Sequence, residues 1–146
     1  MCIRDRVQGD PAVPSSLTRR EREILATVVS VRNGCAYCHA LHVHELAEFL
    51  GDAWLAHRIS LDHREVPELS DREHALIELA LTVTDEPGGV SDAEIDALRG
   101  FGLSDADIFE AVQITSVFNA TNRISLALGL LPDPEIFDGD HAGAHT

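Results

Sequence analysis

From residue 18 onward the apolar positions of the chain recur at helical spacing, in successive blocks separated by Gly, Pro, Ser and Asp. Thr18 with Glu21 forms a capping box, in which hydroxyl and carboxylate each satisfy a free N–H at a helix start. The first helix then runs to about Arg32, with Ile24, Leu25, Val28, Val29 and Val31 as its apolar side and Asn33-Gly34 as its stop. Glu23 falls beside that stripe. The second helix spans from near Cys35 to Gly51 and places Cys35, Cys38, His42, Leu46 and Phe49 along one side, so this side faces the core or a pocket in it; His39 and His44 point elsewhere, into solvent. Asp52 caps a short third helix through Trp54, Leu55, His57 and Ile59, and residues 61–69, with Pro67 and mixed charges, read as a loop.

Ser70 with Glu73 opens the next helix, whose apolar face is Ala75, Leu76, Leu79, Ala80 and Val83 and whose stop is Glu86-Pro87-Gly88-Gly89. Ser91 with Glu94 opens a short helix carrying Ile95 and Leu98, closed by Gly100 and Gly102. Ser104 caps a last long helix with Ile108, Val112, Thr115, Val117 or Phe118, Ile124 and Leu128 as buried candidates, ended by Gly129 and Pro132. No segment alternates as a strand does. The expected fold is all-α, of five to six or more helices with a Cys-X-X-Cys at a helix N-terminus. Residues 17–133 form the domain, residues 1–16 an extended leader whose first six, MCIRDR, look non-native, and residues 134–146 a tail, with His141 and His145, that is loosely ordered or draped on a neighbouring subunit.

Charge narrows the partners. The chain has 25 acidic residues against 11 basic ones, all arginine. A phosphate backbone is repelled by such a field, so nucleic acid is not an expected partner. No apolar run approaches the roughly 20 residues of a membrane span, and no secretory pattern opens the chain, which points to a cytoplasmic protein with no membrane partner. In a reducing cytosol a close thiol pair is catalytic, redox-sensing or metal-binding more often than a structural staple; Cys2 stands apart and is given no role.

The chemistry concentrates in residues 23–42, where Glu23 is followed after eleven residues by Cys35, after two more by Cys38 and after three more by His42. Cysteines three apart on a helix lie one turn above each other and can close into a disulfide with little backbone movement. Only the thiolate attacks a peroxide or a disulfide. The helix N-terminus favours an anion at Cys35, whereas His42, one turn beyond Cys38, favours Cys38. Glu23, brought across by packing, can hold a proton or orient the imidazole. A zinc site would draw on Cys35, Cys38 and His42 or His39, but a fourth ligand such as His57 or His63 is reachable only through the fold, so no metal is expected.

At these residues the chain resembles the alkylhydroperoxidase D-like branch of the carboxymuconolactone decarboxylase superfamily, and within it the peroxidase-related proteins. The likeness covers about residues 17–133; its most specific part is the Glu23, Cys35, Cys38, His42 spacing, and the stretch FNATNRISLALGLLPD, with Asn119, Asn122 and Arg123, is similar to the end of the family's domain. Asn and Arg on a packed helix are more often hydrogen-bonders between helices or subunits than catalysts. The resemblance implies Cys38 as the peroxidatic thiol, Cys35 as the resolving thiol, and His42 and Glu23 as a proton relay. It implies a thiol-dependent peroxidase for hydrogen peroxide or organic hydroperoxides that uses no cofactor, a reductant that is a dithiol carrier such as lipoyl groups or a thiol protein, and a homotrimer or homohexamer. The chain departs from the family pattern at Tyr37, where a histidine can stand between the cysteines, and in holding one copy of the domain pattern. Two other readings are a non-enzymatic redox-sensing oligomer and a cofactor-free lactone decarboxylase, although a decarboxylase has no use for a thiol pair.

Overall fold

A computed structural model describes residues 15–137. The MCIRDR start with Cys2, most of the leader, and His141 and His145 in the tail lie outside the described residues. Six α-helices follow one another: α1 (Arg19–Arg32), α2 (Ala36–Leu50), α3 (Ala53–Asp62), α4 (Asp71–Asp85), α5 (Asp92–Gly100) and α6 (Asp105–Ala127). There is no strand among the described residues, as the absence of alternation requires. Thr18, Ser70, Ser91 and Ser104 each close a capping box, with Glu21, Glu73, Glu94 and Asp107 respectively. Asp107 is buried, which by itself raises a carboxyl, yet hydrogen bonds from Ser104 and Ser16 hold it at about 2. Its bond from the Ser16 N–H, 2.7 Å long, ties the chain ahead of α1 to the start of α6.

Helix α1 is the axis of the bundle and packs against α2, α4 and α6. Every residue of α1 from Glu21 to Ser30 is buried, so the expected single stripe, with Glu23 at its edge, underestimates how completely this helix is surrounded. The charges carried inward need compensation, because an unpaired buried charge is expensive. Arg72 of α4 meets Glu21 at 2.6 Å, and Glu110 of α6 meets Arg22 at 2.6 Å. Arg22 also donates to the Leu17 carbonyl and to the Ser15 hydroxyl.

Several expectations give way to packing. Residues 61–69 are not one loop: α3 continues through Asp62, and a 3₁₀ turn follows at His63–Glu65, with Arg58 bonded to the Glu65 carbonyl and the Glu68 carboxylate. Phe49 is exposed rather than buried, its ring covered from one side by the Arg19 guanidinium 4.8 Å away. Val31 and Val112 are half-buried, Ile124 and Leu128 are exposed, and of Val117 and Phe118 it is Phe118 that fills the core. Along the second half of α6 the buried line runs through Phe118, Asn122 and Ser125, and Ile124 falls off it. The chain after α6 turns back at Pro134–Ile136 and buries Ile136 against α2.

Removing the carboxylate from the Arg22–Glu110 pair leaves a charge in the interior. Glu110→Ala is expected to lower the unfolding free energy by about 3–5 kcal/mol, read from the urea midpoint; a change near that of a surface substitution would show that the pair contributes nothing.

Candidate active site

The joint between α1 and α2 places the thiols. Gly34 takes a left-handed backbone, φ +66°, that a side chain would strain, and the chain reverses so that the Cys35 N–H donates to the Ser30 carbonyl at 3.2 Å. Cys35 then becomes the N-cap of α2, its sulfur accepting the Cys38 N–H at 3.3 Å. Cys35 and Cys38 are joined as a disulfide with Cα atoms 5.3 Å apart. They are only 1% and 5% exposed, so both lie largely beneath the surface.

Helix α6 anchors this joint. Asn33 donates to the Asn119 side-chain carbonyl at 3.0 Å, the Asn119 amide donates to Thr84 at 3.0 Å, and Arg123 donates to the same Asn119 oxygen at 2.9 Å. Asn122, fully buried, accepts from the Ser30 hydroxyl at 3.3 Å. Asn119 and Asn122 therefore hold the turn that presents Cys35, an interhelical role that their residue type suggested, whereas the bonds of Arg123 are to Asn119 of its own helix.

Glu23 and His42 both lie inside. Glu23 is 1% exposed, and burial first, then the Glu45 charge, push its carboxyl up to about 7 against a lowering by Arg19, whose Nε is 3.7 Å away. Glu23 Oε2 is buried without a hydrogen-bond partner among the described residues. A carboxyl that titrates near neutral pH can both take and give a proton there. His42 follows Cys38 by one turn, its ring edge-on to Phe118 at 4.8 Å and its Nδ1 3.3 Å from Glu45 Oε2.

Glu45 and Phe118 are the members that sequence reasoning missed as part of the site. Glu45 had a legible signal, an acid three residues past His42 on the same helix face; Phe118 reaches the imidazole only through the docking of α6. Two neighbours depart from expectation. His39 is half-buried rather than solvated, with its imidazole pushed down by burial and by nearby His57, and His44 is also partly covered.

Glu23, His42 and Glu45 each offer one donor atom, all within 4.8 Å of one another. A structural zinc takes four ligands, one more than these three donors supply. The disulfide offers no thiolate. A cleft of about 540 Å³ lies elsewhere, between α1, α3 and α4, lined among others by Val28, Arg32, His63, Glu78 and Asp85; none of the four motif residues borders it.

The profile of the carboxymuconolactone decarboxylase family matches residues 5–53, a span that contains the whole Glu23 to His42 motif. The uncharacterized protein YdfG of Bacillus subtilis (strain 168) is 31% identical over 117 residues, covering 79% of this chain and 78% of that protein. An uncharacterized peroxidase-related protein from Silicibacter sp. TM1040 superposes with a TM-score of 0.83 at 31% identity, over 90% of this chain, which spans 66% of that protein's length. The alkylhydroperoxidase core of an uncharacterized peroxidase-related protein from Ralstonia eutropha JMP134 superposes with a TM-score of 0.82 at 27% identity, over 92% of this chain and 69% of that one.

The buried Glu23 makes a prediction about stability. Its folded value of about 7 lies above the unfolded 4.5, so its contribution is full below about pH 4.5 and is lost as the pH rises to about 7. At ~1.4 kcal/mol per pH unit, the loss is about 3 kcal/mol. Glu23→Gln does not titrate. Its unfolding free energy minus that of the parent should climb with pH across this window and level off above it, in urea titrations; a difference that stays flat with pH refutes the burial of an ionising carboxyl.

Proposed function

The chain belongs to the carboxymuconolactone decarboxylase superfamily, in its alkylhydroperoxidase D-like part, and from that premise we propose that it is a thiol-dependent peroxidase. The observation that carries the proposal is a bonded cysteine pair at the N-terminus of α2 with two buried proton carriers, Glu23 and His42, beside it. In the first step the Cys38 thiol and a hydroperoxide give a Cys38 sulfenic acid and an alcohol, or water when the substrate is hydrogen peroxide. The S–O bond forms as the O–O bond breaks, and the thiol proton passes to the departing oxygen. The Cys35 thiol then attacks the sulfenic sulfur, forms the disulfide and releases water. A dithiol or a thiol protein, lipoyl groups being one such class, returns both cysteines to thiols and leaves as a disulfide.

The geometry supports this order. Cys38 is the less buried residue of the two and has His42 one turn away to accept its proton. Cys35 accepts the Cys38 N–H at the helix start, which stabilises it as the departing thiolate when the reductant attacks Cys38. Glu23, titrating near neutrality, takes up or returns the proton that His42 carries. Such a cycle fits a cytoplasm where thiol reductants are supplied.

Assembly as a homotrimer or larger belongs to the same proposal. Ile124, Leu126, Leu128, Leu130 and Leu131 are all exposed along the end of α6 and the segment after it, a run that a second subunit can cover. Light scattering is expected to give the mass of a trimer or a multiple of it; a monomer at working concentrations removes that part of the proposal.

Stopped-flow peroxide reduction with a panel of dithiols tests the chemistry. Cys38→Ser and Cys35→Ser should each abolish turnover, and His42→Ala should slow it by about 100-fold or more. Peroxide consumption retained in Cys38→Ser removes the reading. A single oxidation with no cycling in the parent protein identifies a redox sensor instead, and lactone turnover that survives loss of both thiols identifies a decarboxylase.

A further inference from the structure

We propose that Glu45 is the positioning residue through which the enclosed His42 and Glu23 exchange protons with water, an inference that deepens the peroxidase reading and rests on it. The need for such a residue follows from burial. Cys35, Cys38, Glu23 and His42 are 1%, 5%, 1% and 7% exposed, so the groups that gain and lose protons in each cycle are largely shielded from solvent. Reduction of the disulfide by an outside dithiol makes the demand plain: the S–S bond breaks, the dithiol is oxidised to its own disulfide, and its two protons must end on Cys35 and Cys38.

Glu45 has the position for this. It lies three residues after His42, one turn along α2 on the same face, with Oε2 3.3 Å from His42 Nδ1 and a side chain 45% exposed. It thus bridges a buried imidazole and bulk water. In the disulfide form Nδ1 has no aligned hydrogen bond, and the contact stands at ion-pair distance, open to tightening when the imidazole is protonated. A carboxylate at Nδ1 also favours the tautomer that leaves the other ring nitrogen as base.

The other groups facing this pair do not offer the same path. From α1 come Glu23 itself and Arg19, whose guanidinium near Glu23 stays protonated and cannot carry a proton away. From α6 comes the Phe118 ring, which seals one side of the imidazole. From α2 come Cys38 one turn before His42 and Glu45 one turn after it. The two carboxylates also sense each other, since the Glu45 charge is second only to burial in raising Glu23.

The test uses the whole protein and dithiothreitol as reductant, following the appearance of thiols from the disulfide across neutral pH at low and at high imidazole buffer. Glu45→Gln is expected to slow reduction by about tenfold at low buffer, below the usual range for a lost acid–base group because Glu45 acts through His42. High buffer should restore the parent rate, and Glu45→Asp should recover part of it without buffer. Parent-like rates in Glu45→Gln at low buffer overturn the proposal. So does a slowing that neither buffer nor pH alters, which marks a structural role. Because this readout needs no peroxide, a parent protein that reduces its disulfide normally yet consumes no peroxide refutes the peroxidase reading and still decides the role of Glu45.

Discussion

A charged helix driven through the middle of a bundle is the constraint on which the rest depends. Helix α1 brings Glu21, Arg22 and Glu23 into the interior in succession, and three successive residues point to three different neighbours. The first two find short ion pairs, with Arg72 of α4 and Glu110 of α6. Among the described residues Glu23 has Arg19 alone, at 3.7 Å, to set against burial and the Glu45 charge. Two of the three charges therefore serve packing, and the third is left with a carboxyl that titrates near neutrality. That division separates what stabilises the fold from what is available for chemistry.

The thiols are set by the same helix. Because α1 ends at Arg32 and Gly34 allows the reversal, Cys35 falls at the cap position of α2 and Cys38 at its first turn. The turn is short and would be free to shift if it were bonded only to itself. Bonds from Asn33 to Asn119 and from Ser30 to Asn122 fix it to α6, joining residues more than eighty apart in sequence. Glu23, Thr27 and Ser30 lie on one face of α1, and Thr27 donates to the His42 carbonyl at 3.3 Å, so the same face that holds the acid also holds α2 in place.

Much of this was legible beforehand. The capping boxes at Thr18, Ser70 and Ser91 and the Gly34 stop are local events, decided by backbone groups within a few residues, and they marked helix starts and ends well. Residues 61–69 were misread because Pro67 and mixed charges suggest a loop, whereas the Asp62 cap and the Arg58 bonds keep most of the segment wound. Phe49 lies outside the core because periodicity gives the apolar side of a helix and not how far along it the neighbours extend, and Ile124 and Leu128 because the buried line of α6 runs through Phe118 and the polar Asn122 and Ser125 instead. Glu45 lay one turn from His42 in plain view, but its importance depends on Glu23 arriving from another helix.

What the amino-acid order determined alone was the set of helices, the spacing that lets Cys35 and Cys38 bond, and the alignment of His42 one turn beyond, since all of these follow from the geometry of a single helix and its caps. The tertiary structure decided which charges are enclosed, that the thiols are largely shielded from solvent, and that Glu23, His42 and Glu45 meet. Burial and the meeting of groups on different helices are properties of packing, and the free energy of an ionising group depends on what surrounds it rather than on where it stands in the chain.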